Sequence, residues 1–158
     1  MARETITVGG FSVAPGARGY GYLHVGHLAA RTEVRIPLQV VNGASDGPVL
    51  CLEATLHGWE PMGAEILRRA LQRIDPAQLR GTIYCLPLAS PFSVEFGGSV
   101  ESTGTRVNPA DLLDLNRVWP GKNRERLAHR ADGLCDLDGK CSRRCQYPSG
   151  LPRRHRCL

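Results

Sequence analysis

PVLCLEATLHGWEPMGAEILRRALQRIDPAQLRGTIYCLPLA, residues 48–89, decides the fold. Its first nine residues, PVLCLEATL (48–56), are apolar nearly throughout and read as a buried strand. The apolar run stops at His57-Gly58, and after Trp59-Glu60 a new period begins. Gly63, Ile66, Leu67, Ala70, Leu71 and Ile74 recur at helical spacing. Pro61 suits the first helical turn, where its missing N–H removes no bond. DPAQLRG (75–81) ends the helix, and GTIYCLPLA (81–89) reads as a second buried strand. Strand, helix and strand within about 40 residues predict a βαβ unit with parallel, neighbouring strands.

Upstream, RGYGYLHVG (18–26) and TEVRIPLQVVN (32–42) alternate apolar and polar residues. They predict an antiparallel pair, followed by a loop at NGASDGP (42–48). His24 and His27 fall on the first of these strands and its turn; their spacing predicts exposed side chains on opposite faces. Downstream, residues 90–121 are rich in Gly, Ser, Pro and Asn and predict a long irregular segment. The fold class is therefore α/β: a mixed, partly parallel sheet with flanking helices and a β-rich lead-in. The expected divisions are 1–47 for the lead-in, 48–130 for the α/β part and 131–158 for the tail.

Composition is that of a globular protein, 42% hydrophobic and 22% charged over 158 residues. No apolar run is long enough for a membrane span, and the N-terminus lacks the basic start and apolar run of a signal peptide. The expected location is the cytoplasm. The net charge of +5 is local: residues 122–158 hold ten Lys/Arg against four Asp/Glu, leaving the first 121 residues at −1. Cys51 and Cys85 lie in apolar runs, while Cys135, Cys141, Cys145 and Cys157 crowd an aperiodic, Arg-rich ending.

His57 falls where a buried strand ends, and Glu60 where the next helix begins. Sites in open α/β sheets form at such strand ends. Imidazole and carboxylate are both good zinc ligands, and a catalytic zinc takes three protein ligands plus water. The plainer alternatives are a carboxylate favouring a helix N-terminus and a histidine in a turn.

The order of several motifs adds to this. His57-Gly58-Trp59-Glu60-Pro61-Met62-Gly63 comes first, then the strand Ile83 to Pro87. Arg106, Pro109 and Asp111 follow, then Leu115-Asn116-Arg117 and Pro120-Gly121. Over roughly residues 10–128 this pattern resembles the succinylglutamate desuccinylase/aspartoacylase family, zinc-dependent deacylases related to zinc carboxypeptidases. The resemblance implies a hydrolase that cleaves the amide bond of a small N-acyl amino acid. It implies zinc as cofactor, His57 and Glu60 as its first two ligands, and Arg106, Asn116 and Arg117 as substrate-binding groups. Guanidinium suits a carboxylate because it forks onto both oxygens.

The sequence also departs from the pattern. Ser90 stands where some members carry asparagine, and Trp59 where a small or acidic residue is common. The third zinc ligand and the glutamate base are not visible; Asp138 in Cys135-Asp136-Leu137-Asp138-Gly139 stands where a ligand histidine would be. His129 and His155 are weak substitutes. The expectation is that the family pattern stops near residue 130 and that a frameshift or sequence error supplies the tail. Two rival readings remain: a non-catalytic ligand-binding remnant, or a zinc- or nucleic-acid-binding Cys-rich tail. No CxxC pair supports the latter. A small-molecule partner is expected, with no membrane.

Overall fold

A computed structural model describes residues 3–95, 105–110 and 112–118 of the chain. Six strands and three helices follow one another: β1 (Ile6–Val8), β2 (Phe11–Val13), β3 (Ala17–His27), β4 (Glu33–Asn42), β5 (Ser45–Glu53), α1 (Met62–Gln72), β6 (Arg80–Leu86), α2 (Pro91–Glu95) and α3 (Leu115–Val118). β1 and β2 form a small antiparallel hairpin, and the other four strands form one sheet in the order β3-β4-β6-β5. β3 pairs antiparallel with β4, and β5 lies parallel to β6, both as expected. α1 supplies the crossover that a parallel pair requires. β6 is inserted between β5 and β4 and meets β4 antiparallel, which makes the sheet mixed.

Each face of the sheet carries its own apolar cluster. Val40 and Val41 are consecutive and both buried, yet they enter different clusters, because side chains alternate across a strand. Leu23, Ile36, Leu38, Val40 and Leu86 gather on one face with Phe11 and Val13 of the hairpin packed in. Val41, Ile83 and Cys85 gather on the other, covered by Leu67 and Leu71 of α1. Burying a side chain such as Leu71 contributes roughly 1.5–3 kcal/mol.

The structure corrects four local expectations. The β1–β2 hairpin was not foreseen, because three-residue strands are too short to show a period. The loop at 42–48 is shorter than expected, since β5 begins at Ser45. Residues 91–95 and 115–118, expected to be irregular, are short helices. His24 and His27 do not lie on opposite faces: their rings are 4.8 Å apart, because the pairing register shifts between His24 and Gly26. A bulge adds one residue and so reverses the alternation. Asp111, Trp119, Pro120, Gly121, His129, His155 and the four tail cysteines lie outside the described residues. No helix among the described residues is long and apolar enough to cross a membrane.

Candidate metal half-site

β5 ends at Glu53, and the chain then leaves the sheet in a tight path. The Ala54 N–H donates to the Leu86 carbonyl at 3.0 Å, holding the exit beside the end of β6. Thr55 turns through a positive φ of 55°. The Glu60 N–H donates to the His57 carbonyl at 3.1 Å, closing a turn that brings the two side chains together. Gly58 occupies this turn because the Ser93 carbonyl lies where a Cβ would be. Its N–H donates to the Thr105 carbonyl at 2.8 Å, and the Thr105 N–H donates to the Ser93 carbonyl at 2.7 Å. Residues 105–110 are thereby docked against the strand ends.

His57 is buried and engaged at both ring nitrogens. Nδ1 lies 3.1 Å from Glu60 Oε2, and Nε2 lies 3.1 Å from Asp114 Oδ1. Asp114 also accepts from Arg106 Nε at 3.0 Å and from the Asn116 backbone N–H at 2.9 Å. Burial alone would raise the Asp114 pKa; the hydrogen bonds from His57, Arg106 and the Asn116 N–H outweigh it and hold the carboxyl down at about 2. Asp114 is therefore ionised at neutral pH and accepts from His57 Nε2–H. Asp114 thereby favours a proton on Nε2, the tautomer in which Nδ1 could ligate a metal beside Glu60.

Of the residues singled out from sequence, His57, Glu60 and Arg106 come together here. Asn116 and Arg117 are exposed on α3, directly after Asp114. Ser90 is buried, and its Oγ lies 2.6 Å from Ser93 Oγ. Trp59 is half-exposed, with its ring 6.3 Å from that of His57. Asp114 and Asn108 were missed. Asn108 is buried, accepts from the Ala110 N–H at 3.0 Å through Oδ1, and shapes the loop that presents Asp114. The available signal for Asp114 was its place immediately before Leu115-Asn116-Arg117.

The donor set fits part of a zinc site. An imidazole nitrogen and a carboxylate face one point, with the second imidazole nitrogen anchored by an outer carboxylate. Asp114 occupies the far side of the ring and so cannot share a metal with Nδ1. Accordingly, no group of three or more His, Cys, Asp or Glu among the described residues is placed to hold a metal ion.

The model of the succinylglutamate desuccinylase/aspartoacylase catalytic domain matches residues 46–138. The chain belongs to this family. A succinylglutamate desuccinylase/aspartoacylase structure from Rhodobacter sphaeroides is 25% identical, with a TM-score of 0.62, over 77% of this chain and 36% of its own. An aspartoacylase family protein from Mesorhizobium loti is 28% identical, with a TM-score of 0.64, over 79% of this chain and 37% of its own. A product-bound ectoine utilization protein from Ruegeria pomeroyi shares the fold at 22% identity and a TM-score of 0.62, over 77% of this chain and 35% of its own. No curated protein matches the chain. The chain spans little more than a third of the length of these aspartoacylase-type structures. The family is one of deacylase-type hydrolases, and the match runs through Asp138, beyond the last residue described.

Proposed function

We propose that this chain carries the first half of the active site of a zinc-dependent deacylase acting on the amide bond of a small N-acyl amino acid. The observation behind this reading is His57 in the turn between β5 and α1, with Nδ1 facing Glu60 and Nε2 held by ionised Asp114, in a chain of this family. His57 and Glu60 would hold the zinc. Bound there, zinc lowers the pKa of a water and polarises an acyl carbonyl. Asp114 keeps His57 in the tautomer whose Nδ1 can ligate. Arg106, Asn116 and Arg117 stand on one short segment beside the half-site and would receive the substrate carboxylate. Arg106 already spends Nε on Asp114, so its contribution to substrate would come through its terminal nitrogens.

A general base and a third ligand are not among the described residues. The described residues therefore supply only part of a site, and the family match continues through Asp138. The test is zinc titration of the purified chain against a chromophoric chelator, together with an assay on N-acyl amino acids. The expected result is weak binding of one zinc that is lost in both His57→Ala and Glu60→Ala. Zinc binding unchanged by both substitutions would overturn the ligand assignment. Turnover unaffected by both substitutions would overturn the half-site reading.

A further inference from the structure

We propose that Thr55 is a positioning residue: its left-handed turn, clamped by the loop after β6, aims the His57 imidazole between Glu60 and Asp114. This rests on the metal reading above for its purpose, but not for its geometry. A β-branched residue at positive φ is an outlier, since the branched side chain crowds the backbone there. Thr55 adopts a φ of 55° while almost fully buried. Such a conformation persists only where its surroundings over-determine it, and such residues cluster at functional sites.

The surroundings here are explicit. Thr55 Oγ1 donates to the Pro87 carbonyl at 3.0 Å. The Thr55 carbonyl accepts from the Ser90 N–H at 3.2 Å, and the Ala54 carbonyl accepts from the Ala89 N–H at 2.9 Å. The strained residue is thus gripped at its side chain and its carbonyl by residues 87–90, the first segment after β6. Glycine would adopt this φ freely but has no hydroxyl for Pro87. Threonine accepts the strain and gains the clamp. His57 follows two residues later, and a small rotation at Thr55 would swing the ring off both carboxylates.

Three substitutions separate the parts. Thr55→Ser keeps the hydroxyl, Thr55→Val keeps the shape and loses the hydroxyl, and Thr55→Gly relieves the backbone and loses the clamp. The first readout needs no metal: the imidazole Nε2–H resonance of His57 in long-range proton–nitrogen spectra, assigned by its loss in His57→Asn. The wild-type chain and Thr55→Ser should show one sharp, exchange-protected signal. Thr55→Gly and Thr55→Val should broaden or lose it while the fold persists by circular dichroism. Zinc affinity should fall roughly tenfold in Thr55→Gly and stay unchanged in Thr55→Ser, as for the loss of an outer-shell support. Retention of the wild-type signal in folded Thr55→Gly overturns the proposal, and Thr55→Gly provides this test even if Thr55→Val does not fold. Wild-type zinc affinity in His57→Asn would sink the metal reading alone, since the imidazole signal still decides the role of Thr55.

Discussion

Asp114 shows how much one carboxylate can organise. It accepts from His57, Arg106 and the Asn116 N–H at once, and it comes from a loop 57 residues away from the histidine it orients. Asp114→Asn keeps the shape but removes the charge that favours a proton on Nε2. Zinc affinity should fall about 10- to 100-fold, as for other outer-shell carboxylates. Competition with a chelator dye measures this, and unchanged affinity would remove Asp114 from the site. The closeness of His57 and Glu60 was legible because residues three apart around one turn meet locally, while their proposed role rested on the order of the motifs and not on the spacing. Asp114 was not, because its partner is chosen by a docking that runs through backbone groups of Gly58, Ser93 and Thr105. Backbone hydrogen bonds leave little trace in residue identity. The strain at Thr55 was hidden for the same reason, since threonine suggests strand and not a left-handed turn.

Among the elements, α1 carries its own electrostatic signature. Glu65 Oε1 and Oε2 accept from Arg68 at 2.8 and 2.6 Å, and Arg69 Nε reaches Oε1 at 2.6 Å. Arg68, then Arg69, hold the Glu65 pKa down to about 2 from its ordinary 4.5. The folded value is the depressed one, so the contribution is complete above pH 4.5 and is lost as pH falls through 4.5 toward 2. Thermal melts of Glu65→Gln and the wild type should converge at the acid end of that window and diverge above it. Added salt should narrow the gap, because these side chains are exposed. The helix and the four long strands were legible because each spans enough residues to display a period. The His24–Gly26 bulge was not, since one inserted residue leaves the composition of β3 unchanged while reversing its alternation.

In the whole molecule, the site and the core share atoms. Leu86 is completely buried in the apolar cluster opposite α1, and its carbonyl also receives the Ala54 N–H where the chain leaves for His57. Leu86→Ala should cost about 2–5 kcal/mol in urea unfolding. Ile66→Ala, on the exposed side of α1, should stay within about 0.5 kcal/mol. Equal costs would show that the cluster around Leu86 is not the core. The parallel relation of β5 and β6 could be read from the βαβ pattern, but the insertion of β6 beside β4 could not. Sequence spacing does not say which free edge a returning strand will take.

Arg18, on β3, donates to the carbonyl of Leu71 in the last turn of α1 and to that of Ile74 just past it, at 3.3 and 2.5 Å. In mechanical terms this side chain is a tie rod. Tension on β3 reaches the end of the helix directly, without passing through the ladders of β4 and β6. In an optical-tweezers experiment the first sheet strand and α1 should therefore give way in a single step. Cutting the rod with Arg18→Ala should divide that step in two, the helix end yielding at lower force than the strand.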